Sequence, residues 1–265
     1  MNRHSQSEFE RHPITPDRYD AVLLDMDGVV TDTASIHATC WKTMFDEYLQ
    51  KRANQYGEPL RAFDIATDYK VYVDGKPRYR GVQDFLKSRG IVLPQGTPDD
   101  SPNAETICGL GNRKNELVNE VLASKGASAY PGSIAFLRYL RQSHIKTAVV
   151  TSSQNCEAVL RAANVEDLFD VRVDGDVIAT QGLGGKPAPD SFLKAAELLS
   201  VTPNRAVIIE DAISGVRAGA KGGFGLVIGV ARKNNAEELK ANGAHVVIND
   251  LAELLMEPVP NRGRP

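Results

Sequence analysis

The sequence predicts an α/β protein whose core is a doubly wound parallel sheet, with a smaller, mainly helical cap inserted after the first strand. From residue 131 onwards, short apolar runs alternate with helical patterns. This alternation is typical of βαβ units, which place helices on both faces of a parallel sheet. One isolated apolar run, Ala21 to Leu24, lies near the amino terminus. Between residues 52 and 125 charged residues and turn formers dominate, and few runs resemble strands.

These patterns divide the chain into a core of residues 19–34 and 126–256 and a cap of residues 35–125. The segments 1–18 and 257–265 are polar or rich in proline, and we expect both to be flexible tails. The first of them has no apolar run, so it does not resemble a secretory signal. A cap beside a sheet predicts a lid that excludes water from chemistry at the strand ends.

The individual elements follow from hydrophobic periodicity. The pattern predicts helices over residues 35–50, 134–142, 157–163, 190–199, 213–221 and 236–242. It predicts strands over residues 21–24, 147–151, 169–173, 206–210, 225–230 and 245–248. Two glycine-rich runs, residues 109–111 and 182–187, lack the spacing of a nucleotide-binding loop, so we assign both to turns.

Composition excludes several classes of partner. The 265 residues carry a formal net charge of -3, which gives no basic surface for nucleic acid. No uncharged apolar stretch is long enough to span a bilayer. Cys40, Cys108 and Cys156 are too few and too scattered for a disulfide framework, which favours reduced thiols. We therefore expect a cytoplasmic monomer that binds neither nucleic acid nor membrane.

An acidic pair, Asp25 and Asp27, directly follows the first apolar run, where a parallel sheet presents its ligand sites. Alternate side chains of an extended segment face the same way, so both carboxylates can face one atom. No neighbouring Lys or Arg neutralises them, and carboxylates are ligands that Mg²⁺ prefers. Helix capping by either Asp is the alternative reading of this pair alone. The metal reading is favoured by polar residues at later strand ends, namely Thr151, Lys186, Glu210 and Asp211.

Four segments, residues 25–33, 151–153, 186–190 and 210–215, are similar to the motifs of the haloacid dehalogenase (HAD) superfamily. Within it, residues 31–37 followed by Trp41 and Lys42 resemble the β-phosphoglucomutase-like subfamily. The resemblance implies a HAD-like Rossmannoid core and Mg²⁺-dependent phosphoryl transfer through an aspartyl phosphate. The expected reaction interconverts β-D-glucose 1-phosphate and glucose 6-phosphate through a bisphosphate. Hydrolysis of a small sugar or polyol phosphate is the alternative, and a non-catalytic sugar-phosphate-binding protein is a third.

The resemblance also implies roles for the core residues. Asp25 would be the nucleophile and Asp27 the general acid and base. Thr151 would bind the transferring phosphoryl group, and Lys186 would balance its charge. Mg²⁺ would be held by Asp25, the main-chain carbonyl of Asp27 and Asp211, with Glu210 as a further ligand or as an acceptor behind them.

Substrate binding is expected at residues of the cap and of the neighbouring core loops. A bisphosphate must be held at both ends, and an arginine provides a bidentate fork for the distal phosphate. A solvated basic helix face is the alternative for the cap cations. The segment departs from the mutase pattern at Asp74, where a lysine is expected, so the sugar stays open. The expected substrate-binding residues are Thr33, His37, Trp41, Gly75, Arg78, Arg113, Lys114, Asn115, Ser152, Ser153 and Asn155.

Overall fold

The computed structural model describes residues 13–57, 59, 61–232 and 234–255. Its core is one six-stranded parallel sheet with the strand order β3-β2-β1-β4-β5-β6. The strands are β1 (Ala21–Leu24), β2 (Lys146–Val150), β3 (Val171–Val173), β4 (Ala206–Glu210), β5 (Leu226–Val230) and β6 (Val246–Ile248). The predicted fold class is confirmed.

Helices account for most of the remaining described chain. The α-helices are α1 (Ala34–Tyr56), α2 (Arg78–Ser88), α3 (Ile107–Lys125), α4 (Pro131–Gln142), α5 (Cys156–Ala162), α6 (Gly175–Thr180), α7 (Asp190–Leu198), α8 (Ile213–Lys221) and α9 (Ala236–Ala241). A π-helix, Ile65–Val73, lies between α1 and α2. None of the helices in the described ranges has the length and apolar character needed to cross a membrane.

The central strand β1 is buried on both faces, because apolar layers cover both sides of the sheet. Val22 and Leu24 belong to one apolar cluster, which includes Phe136 of α4. Leu23 belongs to the cluster on the opposite face, which includes Phe192 of α7. Strand β1 lies between β2 and β4, where the order of strands reverses, and this reversal opens a crevice at the carboxyl ends of the strands.

A third apolar cluster lies within the segment predicted as the cap. Phe45 of α1 is the centre of its aromatic part, with ring centroids 5.1 Å from Phe63 and 4.1 Å from Phe85. Trp41 stacks on Phe45 at 5.3 Å. The segment thus buries its own apolar side chains, as a separate cap would, although the exact domain boundaries stay a prediction.

Three parts of the described chain differ from the prediction. Within residues 13–18, Ile14 is packed rather than loose, since it is 1% exposed and its carbonyl accepts a hydrogen bond from Tyr139. Helix α6 was not predicted at all. The glycine run 109–111 lies inside helix α3, not in a turn. Residues 1–12 and 257–265 of the predicted tails fall outside the described residues.

Candidate active site

Lys186, in the loop before α7, is the buried cation of the site. Its Nζ donates hydrogen bonds to Asp25 Oδ1 at 2.5 Å, Glu210 Oε1 at 2.6 Å and the Val150 carbonyl at 3.0 Å. All three ammonium hydrogens therefore have acceptors. Asp25 follows β1 and Glu210 ends β4, so the two acids come from neighbouring strands.

The protonation of this group follows from its burial. Desolvation raises the pKa of Asp25 well above its usual value, and the neighbouring acids raise it further, against the lowering effect of Lys186. Burial alone would lower the pKa of Lys186, but Asp25 and Glu210 outweigh it and raise the pKa above the ordinary value. Lys186 is therefore a permanent cation, and one cation does not compensate the acids around it.

A cation fits between three carboxylates. Oxygens of Asp25, Glu210 and Asp211 all lie within 4.8 Å of one another. Gly28 has φ +90°, and a Cβ at this position would lie 2.4 Å from Asp211 Oδ2. The glycine thus leaves the carboxylate room beside the loop that follows Asp27. Both carboxylate oxygens of Glu210 already accept hydrogen bonds, from Lys186 and from the Ala212 amide. Glu210 therefore suits the role of a hydrogen-bond acceptor behind the metal ligands better than that of a direct ligand.

Asp27 is held by a chain of polar side chains. Thr33 Oγ1 donates a short hydrogen bond to Asp27 Oδ1, and His37 Nε2 lies 3.4 Å from the same oxygen. Lys114 Nζ, from α3, lies 2.7 Å from His37 Nδ1. Burial would raise the pKa of Asp27, but His37, Thr33 and Lys114 outweigh burial and lower it to about 2. Asp27 is therefore a carboxylate at neutral pH.

A cavity of about 410 Å³ lies between the sheet edge and the cap. Its wall combines reactive acids of the core with cations and aromatic rings of the cap, so a ligand inside would contact both parts. Twelve of the residues predicted for the site line it: Asp25, Asp27, His37, Trp41, Gly75, Arg78, Lys114, Asn115, Thr151, Ser152, Ser153 and Asp211.

Four of the other predicted residues lie behind this wall. Thr33 supports Asp27. Lys186 donates a hydrogen bond to Asp25, and Glu210 accepts one from Lys186, both beneath the cavity wall. Asn155 donates from Nδ2 to Asn115 Oδ1 at 3.1 Å, so it contacts a lining residue without being one.

The structure does not bring Arg113 to the cavity. Its guanidinium pairs with Glu47 of α1, and both side chains are more than a third exposed. Consecutive residues of an α-helix point about 100° apart. Lys114 and Asn115 line the cavity while Arg113 points towards Glu47, so the substrate-binding role predicted for Arg113 has no geometric support.

The wall also includes residues that were not predicted, among them Gln154, Tyr69 and Tyr79. Gln154 accepts a hydrogen bond from Arg78 Nη2 at 2.8 Å, and it directly follows the predicted Ser152 and Ser153, so its position was a usable signal. Tyr69 is hydrogen-bonded to Asp74 and is 6% exposed. Its place depends on the π-helix, which periodicity does not reveal.

Comparison with known proteins decides the family. A family model described as haloacid dehalogenase-like hydrolase matches residues 19–223. The chain belongs to the haloacid dehalogenase-like hydrolase family. It is 49% identical over 243 residues to a protein of Mycobacterium bovis named β-phosphoglucomutase, covering 91% of this chain and 93% of that one. It is 29% identical to a phosphorylated carbohydrates phosphatase of Thermotoga maritima, covering 89% of this chain and 100% of that one.

A solved structure supports the same assignment at the level of the fold. The crystal structure of β-phosphoglucomutase from Clostridium difficile superposes with a TM-score of 0.70 at 24% identity, covering 89% of this chain and 93% of that one. Its similarity to these proteins places the chain in the β-phosphoglucomutase-like subfamily of the HAD superfamily. The protein is therefore an enzyme. The predicted superfamily and subfamily are confirmed.

Proposed function

We propose that this enzyme is a β-phosphoglucomutase, which interconverts β-D-glucose 1-phosphate and glucose 6-phosphate through a bisphosphate and an aspartyl phosphate. The observation that carries the proposal is one cavity whose lining combines acids of the core with cations of the cap. Asp25 and Asp27 come from the core, and Arg78 and Lys114 come from the cap. The name of the Mycobacterium bovis relative supports the same reaction. A monomeric state and a cytoplasmic location stay predictions from the sequence.

The proposed roles of the two aspartates suit their surroundings. The phosphoryl group carried by Asp25 would pass to the 6-hydroxyl of β-glucose 1-phosphate, whose proton goes to Asp27. The bisphosphate then turns over, and its 1-phosphoryl group passes back to Asp25 while Asp27 returns the proton to the sugar oxygen. The low pKa of Asp27 suits the first of these steps, because the group starts as a carboxylate.

The acid cluster would hold Mg²⁺, with Asp25 and Asp211 as side-chain ligands and Glu210 as a ligand or a supporting acceptor. The carbonyl of Asp27 is the further predicted ligand. When bound, the cation would neutralise charge between an anionic nucleophile and an anionic phosphate. Lys186 contributes fixed positive charge at the same place, since Asp25 Oδ1 is already its partner.

Arg78 is suited to the phosphate that is not transferred. Its Nε is buried and has no hydrogen-bond partner among the described residues, which is costly unless a ligand supplies one. A phosphate oxygen would satisfy this donor through a charge-assisted hydrogen bond. The cap end of the cavity therefore fits an anion, as a mutase requires.

The second candidate function is a phosphatase acting on a small sugar or polyol phosphate. The Thermotoga maritima relative carries such a name at 29% identity. A phosphatase would use the same acids and differ only in admitting water to the aspartyl phosphate.

Product analysis separates the two functions. Purified protein with Mg²⁺, β-glucose 1-phosphate and a trace of glucose 1,6-bisphosphate should form glucose 6-phosphate faster than inorganic phosphate. Without added bisphosphate, the lag before glucose 6-phosphate forms should be longer. Release of phosphate without isomerisation would exclude the mutase and favour the phosphatase.

The covalent step is tested at Asp25. We expect Asp25→Asn to lower kcat for isomerisation and for phosphate release by at least about a thousandfold, because the amide is a poor nucleophile. Thermal unfolding serves as the control for folding. The midpoint should be unchanged or raised, since one of several repelling carboxylates is removed while Lys186 keeps Glu210. Substantial remaining turnover would contradict the aspartyl phosphate.

A further inference from the structure

The guanidinium of Arg78 is held by acceptors on both sides of the cavity. Its Nη2 donates to Gln154 Oε1 of the core at 2.8 Å and to Tyr79 Oη of the cap at 3.1 Å. Asn112 Oδ1 lies 3.4 Å from the same nitrogen. The guanidinium carbon also lies 4.9 Å from the centre of the Tyr79 ring. The head of Arg78 is therefore fixed before a ligand arrives.

Asn112, on α3, links this arrangement to the loop between α2 and α3. Its Oδ1 accepts a hydrogen bond from Tyr79 Oη at 2.8 Å. Its Nδ2 donates to the Pro98 carbonyl at 2.9 Å and to the Asp100 carbonyl at 2.8 Å. Both amide hydrogens and the carbonyl oxygen have partners, so the side chain is held in one orientation.

A glycine beside Asn112 makes this geometry possible. A Cβ on Gly111 would lie 2.7 Å from Cδ1 of Tyr79 and 3.3 Å from Cγ of Arg78. Without a side chain there, α3 approaches the first turn of α2 closely enough for Asn112 to reach Tyr79. The glycine run 109–111, which takes no part in the chemistry at Asp25, thus serves the packing around Arg78.

We propose that Asn112 is a positioning residue for Arg78, and that it sets the affinity for the distal phosphate of the substrate. The carbonyls of residues 98 and 100 hold its side chain, which acts on Arg78 through the Tyr79 hydroxyl and through its own Oδ1, without touching the substrate itself. An arginine whose head is already oriented loses less conformational freedom when it binds a phosphate. The proposal rests on the proposed function, since it assumes that Arg78 binds a phosphate.

A kinetic comparison tests the effect on substrate. We expect Asn112→Ala to raise KM for β-glucose 1-phosphate about tenfold with a much smaller change in kcat. Hydrolysis of p-nitrophenyl phosphate, which has no distal phosphate, should fall far less. Tyr79→Phe should also raise KM, because it removes the hydroxyl that links Asn112 to Arg78 while the ring over Arg78 is kept. Equal losses on both substrates for Asn112→Ala would overturn the proposal.

Two comparisons separate positioning from a merely structural role. Thr97→Val removes the loop hydrogen bond from Thr97 Oγ1 to Asp100 Oδ1, 3.0 Å long, without touching Arg78. Its KM should match that of the unaltered protein. In an Arg78→Ala background, Asn112→Ala should raise KM less than about twofold further, because the group that it positions is gone. An undiminished effect in that background would overturn the proposal.

A readout independent of activity separates this proposal from the proposed function. The ¹⁵Nε–Hε signal of Arg78, identified by its absence in Arg78→Lys, reports rotation of the guanidinium. Rotation should be faster in Asn112→Ala and unchanged in Thr97→Val. Unchanged rotation in Asn112→Ala would overturn the positioning role. Faster rotation, with Arg78→Ala affecting sugar phosphate and p-nitrophenyl phosphate equally, would keep that role and reject the distal phosphate.

Discussion

The charge on Lys186 decides what the acid cluster can bind. Burial makes a lone ammonium unfavourable, yet the carboxylates of Asp25 and Glu210 keep Lys186 protonated. With Asp211, these acids outnumber the ammonium of Lys186, and burial raises the pKa of both Asp25 and Glu210. A cluster of this kind suits a cation, which would offset the negative charge that an approaching phosphate meets.

At the cap end, Lys114 is a cation with an unusually low pKa. Burial lowers the pKa of Lys114 to about 8, although Asp27 acts to raise it. Below pH 8 the group is charged and favours an anionic substrate, and above pH 8 it loses this charge. We therefore expect KM for the sugar phosphate to rise about tenfold between pH 7 and pH 9.5.

Lys114→Met provides the control for this prediction. KM of the variant should be higher at pH 7 and should lack the inflection near pH 8. Stability gives a second check on the sign. The pKa of Lys114 is lowered from 10.5 to about 8 in the folded chain, so between these pH values the unfolded chain binds more protons. The free energy of unfolding should therefore gain a rising contribution above pH 8 that Lys114→Met removes. If the inflection of KM near pH 8 persisted in Lys114→Met, a group other than Lys114 would cause it.

At the scale of elements, the strand ends were predictable from local pattern, whereas for the cap the sequence indicated its helical character but not its packing. Apolar runs that stop at a carboxylate place Asp25 and Glu210 on adjacent strands, and parallel pairing of β1 with β4 then brings them together. Lys186 could be assigned only from its motif, because it lies in a loop whose path depends on tertiary packing. In the core, local pattern and global fold agree, which is why the sequence sufficed there.

In the cap, helical phase and close packing decide which residues reach the cavity. Arg113 and Lys114 are neighbours in sequence, but only Lys114 faces His37. The glycines of the run 109–111 indicated a turn, whereas Gly109 admits the Ala104 carbonyl, which would lie 2.3 Å from a Cβ. The partners of Arg113 and Lys114 are distant in sequence, and local propensity does not contain such contacts.

Helix α8 offers a test of how an element positions the acid cluster. A Cβ on Gly215 would lie 1.8 Å from Glu210 Oε1 and 2.0 Å from its carboxyl carbon. Gly215→Ala should raise intrinsic helix propensity by about 1 kcal/mol, yet displace Glu210 and with it Lys186. We expect the displacement of Glu210 to outweigh the gain in helix propensity. The value of kcat should fall by at least about tenfold, and the protein should unfold at a lower temperature.

Gly219→Ala in the same helix is the matched control. Its Cβ would meet Val227 and Ile208 side chains at 3.1 Å and beyond, which small shifts can relieve. It should therefore change kcat far less than Gly215→Ala. Similar losses in both variants would point to the helix as a whole and not to the Glu210 carboxylate.

At the scale of the whole molecule, one loop of the cap makes several contacts with the core. Ser214 Oγ donates to the Asp74 carbonyl at 2.8 Å, and Ser152 Oγ donates to the Gly75 carbonyl at 3.1 Å. Arg78 reaches Gln154 from the end of the same loop. The cap is thus held against the sheet edge beside the reacting acids, which would keep water from the aspartyl phosphate.

A substitution at Gly75 would disturb the contact between the loop at residues 74–78 and the core. Its φ is +68°, and a Cβ there would lie 2.4 Å from Ser214 Oγ. Gly57, at the end of α1, has the same φ of +68°, but a Cβ there would meet no atom of the described residues within 4 Å. Gly57→Ala should therefore lower the free energy of unfolding by about 1 kcal/mol, the cost of a left-handed backbone, and Gly75→Ala should lower it further because of the clash with Ser214.

Only Gly75→Ala should also separate the cap from the core. We expect it to raise the ratio of phosphate release to isomerisation, since water then reaches the site, and to increase the radius of gyration measured by small-angle X-ray scattering. Gly57→Ala should leave both quantities unchanged. If both variants behaved alike, backbone strain would explain the losses, and contact between the loop at residues 74–78 and the core would not control access of water.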